Sequence, residues 1–212
     1  MNSEANENFR KVAVTLANKA RENGLRAFLL TGARGGEGTT SAVLNIAHHL
    51  THACQVDPLV VECDMQDPVL ADMLRLDSSR SVSGIAAGAL TPADCVQACS
   101  LGFGIIPAGH NALNKGLVPE PAPALRKILE TASANDQVVL VDTPPILRSG
   151  ATGAAIRVVR HIVLVVEAGR TRREMVERAK AELDRVGAEV VGVILNKHRR
   201  YIPGWVYRAF VR

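Results

Sequence analysis

The stretch from Ala27 to Leu50 constrains this chain more than any other. An apolar run, Ala27-Phe28-Leu29-Leu30, leads into Thr31-Gly32-Ala33-Arg34-Gly35-Gly36-Glu37-Gly38-Thr39-Thr40-Ser41, and a helical pattern with Leu44, Ile46, Ala47 and Leu50 leads out. Strand, glycine-rich loop and helix in that order form the layout of a phosphate-binding loop. Glycines let consecutive backbone N–H groups turn inward, and the helix that follows adds its positive N-terminal end. The usual motif closes Gly-Lys-Ser/Thr, whereas this one reads Gly38-Thr39-Thr40. The cradle is present and its expected cation is missing.

Periodicity extends the reading to the whole chain. Phe9, Val12, Leu16 and Ala20 recur at helical spacing and predict an amphipathic helix over residues 4–23, with Gly24 as its left-handed cap. Strands are expected at 26–31, Leu59–Cys63, Phe103–Pro107, Gln137–Asp142, His161–Glu167 and Val190–Leu195. Helices are expected at about 39–53, 68–76, 81–89, 92–99, from the Pro119/Pro121/Pro123 run to about 134, at 149–159 and at 172–186. Strands that are apolar throughout belong in a parallel sheet covered on both faces. Repeated strand–helix units therefore predict an α/β fold, a doubly wound, mainly parallel sheet with helices on both faces.

A chain of 212 residues with 47% apolar and 22% charged residues is sized for one soluble domain with a substantial core. No apolar run approaches the roughly 20 residues of a membrane span. Met1-Asn2-Ser3-Glu4 lacks signal-peptide character, so a cytoplasmic location is expected. Cys54, Cys63, Cys95 and Cys99 match no zinc spacing and read as buried or bystander thiols. His48 and His49 are helix neighbours that point in different directions, which disfavours a metal pair.

In open parallel sheets, ligands sit outside the carboxyl ends of the strands. The glycine loop, Glu62 and Asp64, Asp142, and Asn196 all fall there. Asp142 follows an apolar strand, as expected of an acid that holds Mg²⁺. Thr40 offers its hydroxyl to the same ion, Asp64 completes the shell, and Glu62 is placed to orient a water or accept a proton. Asn196 is a candidate for an adenine edge. A dinucleotide site competes, since Gly36-x-Gly38-x-x-Ser41 partly imitates Gly-x-Gly-x-x-Gly with Glu62 as the ribose acid. The loop from Thr31 to Gly38 is long for that turn, and Asp142-Thr143-Pro144-Pro145 has no role in it.

Together these segments resemble the cytoplasmic P-loop domains of bacterial tyrosine kinases (BY-kinases of the CpsD/CapB type), of the same broad class as MinD and ParA. Glu7-x-x-Arg10 is similar to the start of the family's Glu-x-x-Arg-x-x-Arg oligomerisation motif. Gly36-Glu37-Gly38-Thr39-Thr40 aligns with Gly-Glu-Gly-Lys-Ser/Thr. Val60-Val61-Glu62-Cys63-Asp64-Met65-Gln66-Asp67-Pro68 resembles the second Walker motif, and Val141-Asp142-Thr143-Pro144-Pro145 the Walker B form. Val166-x-Ala168-Gly169-x-Thr171 and Gly192-Val193-Ile194-Leu195-Asn196 also look familial.

The resemblance implies ATP or ADP and Mg²⁺, with binding weakened by the missing lysine. It places the cofactor on Gly35, Gly36, Glu37, Gly38, Thr39, Thr40, Ser41 and Asn196, and the metal on Thr40, Asp64 and Asp142. Glu62, Asp64 and Asp142 would be the catalytic acids of an active enzyme. Departures accompany the matches: Thr39 replaces the lysine, Glu62 the first aspartate of the second Walker motif, Gln66 its arginine, and Ala13 the second arginine of the oligomerisation motif. The family's tyrosine cluster is reduced to Tyr201 and Tyr207 as phosphorylation candidates.

The expected function is accordingly a kinase-like regulator or adaptor in exopolysaccharide or capsule production, with tyrosine autokinase activity poor or absent. An active autokinase or ATPase with Arg34 as substitute cation is the alternative, and a ParA/MinD-like positioning ATPase a third. Three segments are expected: an N-terminal helix at 1–24, a P-loop domain at 25–200, and a tail at 201–212. From Lys197 to Arg212 there are five Lys or Arg, no acid, and four of the chain's seven aromatics. That mixture suits an anionic lipid surface or the cytoplasmic end of a membrane polysaccharide co-polymerase. The expected location is cytoplasmic and peripheral at the inner face of the cell membrane, with possible self-association. No second basic stripe is evident, so no nucleic-acid partner is expected.

Overall fold

The structure is a computed structural model, and it describes residues 3–109 and 120–198. The expected tail with Tyr201 and Tyr207, and the start of the Pro119/Pro121/Pro123 run, lie outside the described residues. Seven strands form one sheet in the order β3-β4-β2-β5-β1-β6-β7. They are β1 (Ala27–Gly32), β2 (Pro58–Glu62), β3 (Gln97–Ala98), β4 (Gly104–Ile106), β5 (Val138–Asp142), β6 (His161–Glu167) and β7 (Glu189–Asn196). β1, the loop-bearing strand, lies inside the sheet and pairs in parallel with β5 on one side and β6 on the other. Its side chains from Phe28 to Leu30 are fully buried, which accounts for a strand that reads apolar throughout.

Helices cover both faces. α1 (Ser3–Asn23) and α2 (Thr39–Cys54) lie over one face, where Phe9, Ala13, Leu16, Ala17 and Ala20 share a core with Val43, Ile46, Ala47 and Leu50. The short α3 (Leu70–Leu74) adds Leu70 to the same core. The other face is covered by α4 (Val82–Ala86), α5 (Pro92–Cys95), α6 (Ala122–Ala134), α7 (Gly150–Ile156) and α8 (Arg173–Arg185). This is the doubly wound α/β architecture that the strand–helix alternation predicts. Among the described residues, no helix is long and apolar enough to cross a membrane. The four cysteines are free, and Gly24 is left-handed with φ 67°.

One expected element is divided differently. The helix expected over 92–99 stops at Cys95, and Gln97–Ala98 instead pairs antiparallel with β4. Thr91 and Asp94 close a capping box on a single turn, and Val96 is already extended. The Gln97 amide then hydrogen-bonds both the N–H and the carbonyl of Asp77, at 2.8 Å each. These bonds hold the segment as an edge strand. The helices expected at 68–76 and 81–89 shorten to α3 and α4.

The first helix departs from the resemblance in an instructive way. Glu7 and Arg10 are exposed and pair at 3.5 Å, as surface residues of a contact motif would. Ala13, at the position of the motif's second arginine, is fully buried against α2. Restoring the arginine would therefore bury a charge in a close-packed seam. Ala13→Arg should lower stability by about 3 kcal/mol or more through overpacking and an unpaired buried cation. Urea unfolding followed by circular dichroism would show this as a lower midpoint.

Candidate functional site

The loop leaves β1 at Gly32 and enters α2 at Thr39. Gly36 and Gly38 have φ of 83° and 84°, a left-handed backbone that glycine adopts without strain. At Gly38 a side chain is excluded twice over, because a Cβ there would lie 2.5 Å from Asn196 Nδ2.

The loop is held from inside by Glu37. Its carboxylate is buried, accepting the Arg34 N–H at 2.8 Å on one oxygen and the Thr171 hydroxyl at 2.6 Å on the other. Outside, Asn196 Nδ2 donates to the Glu37 carbonyl at 2.9 Å, and its Oδ1 accepts the Lys197 N–H at 2.9 Å. Lys197 Nζ donates to the Gly36 carbonyl and stands 3.5 Å from Glu167 Oε2. The ends of β6 and β7 thus clamp the loop. Sequence reasoning assigns Glu37 and Asn196 to the cofactor, with Asn196 on an adenine edge. In the structure both side chains are bonded within the protein, Glu37 to Arg34 and Thr171, and Asn196 to Glu37 and Lys197.

Three acids from neighbouring strand ends approach the loop. Glu62 and Asp142 are register partners on β2 and β5, and Asp64 follows two residues after Glu62. They line a cavity of about 220 Å³ together with Gly35, Glu37, Gly38, Thr39, Thr40, Ser41 and Arg148. Burial pushes the Asp142 carboxyl up to about 7, the charges of Glu62 and Asp64 push it the same way, and the Thr40 hydroxyl opposes them. Asp64 is also raised, chiefly by burial, while its Oδ1 accepts the N–H groups of Gln66 at 3.2 Å and Asp67 at 3.1 Å.

Glu62 does not sit as a free proton acceptor. Its Oε1 accepts the N–H groups of Val69 at 2.7 Å and Leu70 at 2.9 Å, and its Oε2 accepts that of Ala108 at 2.9 Å. The carboxylate braces the start of α3 and the loop after β4 against β2. Burial raises its pKa, with these three amides pulling the other way. The sequence assigns it base chemistry because a strand-end acid shows only its position; its partners come from segments 7 to 46 residues away.

A divalent cation fits the remaining acids. None of Glu62, Asp64 and Asp142 has a Lys, Arg or His of the described residues within ion-pair distance. A buried acid and a half-buried one, neither in an ion pair with a described residue, beside a hydroxyl-bearing helix start suit Mg²⁺, which is held by one or two carboxylates plus phosphate oxygens and water. No set of three His, Cys, Asp or Glu that could hold a metal ion occurs among the described residues. Asp142, Asp64 and Thr40 are the residues that would hold it. Arg148 carries no signal in the sequence, and Thr171, part of the familial stretch after β6, gives no sign there of its partner. Arg148 lies in the turn after Pro144-Pro145, and Thr171 reaches Glu37 across 134 positions.

A parallel sheet whose inner strand delivers a left-handed glycine loop to a helix, with the adjacent strand's acid beside that helix's first hydroxyls, defines the P-loop NTPase class. Comparison with known proteins narrows this. No family model matches the chain. The Putative tyrosine-protein kinase CapB of Staphylococcus aureus is 25% identical over 197 residues, covering 92% of this chain and 85% of that protein. The tyrosine-protein kinase Wzc of Salmonella typhi is 30% identical over 186 residues, 84% of this chain but only 24% of that protein. The solved kinase domain of Escherichia coli tyrosine kinase ETK superposes with a TM-score of 0.78 at 20% identity, over 94% of this chain and 79% of that one. The chain is a homologue of bacterial tyrosine kinases and shares the fold of their solved domains.

The Asp142 environment gives a signed pH dependence. Its carboxyl is raised from 3.8 to about 7 in the folded state, so the native protein holds a proton that the unfolded chain releases. That contribution is present below about pH 4 and is lost as pH rises through about 7. Asp142→Asn removes the charge-burial penalty. Without metal, its stabilisation relative to wild type should grow between about pH 4 and 7 and then level at up to about 4 kcal/mol. Thermal melts in chelator at pH 5 and pH 8 check this, with the larger melting-temperature gain expected at pH 8.

Proposed function

We propose that this chain is a kinase-like regulator or adaptor of exopolysaccharide or capsule biosynthesis and export that binds ATP or ADP with Mg²⁺ and has weak or absent tyrosine autokinase activity. The observation that carries this reading is Thr39, which stands at the first turn of α2 inside an otherwise intact cradle. A lysine there would place a charge along the phosphates in a partly dehydrated site. Losing about 3–5 kcal/mol of such stabilisation slows phosphoryl transfer roughly 10²–10⁴-fold. The loop amides, the α2 N-terminus and the Asp142–Thr40 pair remain, and those suffice to hold a nucleotide.

In this reading Mg²⁺ supplies charge neutralisation between phosphate oxygens. Asp142 and Asp64 would hold it, and Glu62 braces the start of α3 and the loop after β4 against β2. The partner is the cytoplasmic end of a membrane polysaccharide co-polymerase. The homology to tyrosine kinases of capsule systems supports it, as does the exposure of Glu7 and Arg10, which resemble the start of the family's oligomerisation motif. The basic aromatic segment 201–212 is the proposed membrane-proximal contact, with the protein peripheral at the inner face of the cell membrane.

A second reading has one observation in its favour. Arg34 lines the same cavity as Thr39 and Asp142, so it is available as a cation for an active autokinase. Incubation with labelled ATP and Mg²⁺ separates the two. The adaptor reading expects only trace label on Tyr201 and Tyr207, and turnover gained in Thr39→Lys. Strong wild-type labelling that Asp142→Ala abolishes would overturn it, and loss of that labelling in Arg34→Ala would assign the cation.

A further inference from the structure

Among the described residues, three cations stand at the loop that carries Thr39 in place of a lysine. Lys197 is engaged, with its ammonium on the Gly36 carbonyl and near Glu167, where it holds the loop shut from outside. Arg34 belongs to the loop and shares the cavity wall. Arg148 reaches the same wall from the other side, out of the turn that follows β5. Neither arginine is paired with a carboxylate of the described residues.

The placement of Arg148 is built rather than incidental. Its own N–H donates to the Pro145 carbonyl at 2.9 Å, closing a tight turn. That turn is fastened to β1, because the Thr143 hydroxyl donates to the Leu30 carbonyl at 2.9 Å and the Ile146 N–H to the Gly32 carbonyl at 3.0 Å. The guanidinium then lies across the loop at Gly35, where a Cβ would stand only 2.7 Å from Nη1. Gly35 has no left-handed backbone, and the arginine tip is the nearest group to the place a side chain there would occupy.

We propose that Arg148 supplies the phosphate-binding charge that Thr39 does not, its guanidinium engaging the terminal phosphate oxygens of a nucleoside di- or triphosphate seated in the glycine loop. This rests on the nucleotide reading above. A guanidinium is always charged and presents a planar fork that matches phosphate oxygens in pairs. It enters at the mouth of the cavity from β5, whereas the family lysine enters from the start of α2. It therefore grips a bound phosphate whether or not the group is in transfer, and uniform binding of that kind raises affinity without raising turnover.

Calorimetric titration of Mg-ADP into the full chain tests this, using wild type, Arg148→Gln, Arg148→Lys, Arg34→Gln and the double variant Thr39→Lys/Arg148→Gln. Arg148→Gln should weaken ADP about 10–100-fold, as expected for one charged hydrogen-bonding group lost. Arg148→Lys should recover part of the loss. The double variant should recover most of it, because the charge returns from the usual side. Arg34→Gln should cost less affinity than Arg148→Gln. Arg148 is exposed, so thermal melts of its variants should match wild type. Unchanged ADP affinity in Arg148→Gln, or a larger loss in Arg34→Gln, overturns the proposal and leaves the nucleotide reading standing. Wild type that binds neither ADP nor ATP overturns both.

Discussion

The buried carboxylate of Glu37 is the interaction on which the site depends. A carboxylate taken out of water is stable only when its oxygens are bonded. Here the Arg34 N–H and the Thr171 hydroxyl bond them, one from within the loop and one from the segment after β6. The loop cannot relax without exposing or orphaning that group. Asn196 and Lys197 then hold the loop carbonyls at Gly36 and Glu37 from the far side. The cradle is thus stiff for reasons internal to the protein, and its shape does not require a lysine.

Charge is distributed unevenly around this rigid loop. Glu62, Asp64 and Asp142 crowd one wall, and each carboxyl is raised by burial. Their roles divide by hydrogen bonding. Glu62 spends its lone pairs on backbone amides and becomes a brace, while Asp142 keeps little beyond the Thr40 hydroxyl and stays responsive to a cation. A similar division separates the cations: Lys197 is a clamp, and Arg34 and Arg148 face the cavity.

Much of the fold is legible in the sequence because its signals are local. The apolar strands 59–63 and 161–167, the glycine loop and the strand-end acid Asp142 each announce themselves within a few residues. Their convergence follows from the parallel order that such strands must adopt. What the sequence hides is long-range. Whether Glu62 is a base or a brace depends on Ala108, and whether Asn196 meets a ligand or the loop depends on Glu37. Arg148 sits after two prolines in a segment with no periodicity, and only the fold brings it to Gly35. The edge strand β3 is too short for alternation to show, and Gln97's bonds to Asp77 decide it.

The packing of α1 against α2 has a mechanical consequence. α2 is a rod of 16 residues, about 24 Å long, with Thr39 at one end. Along its flank it shares a seam of alanines and leucines with α1, fastened near the start of α1 by His49 and Asn6 at 3.0 Å. A chain that bound the outer surface of α1 would therefore press on the helix that ends in the phosphate cradle. Any linkage between such a contact and occupancy of the cradle would run in both directions with equal strength.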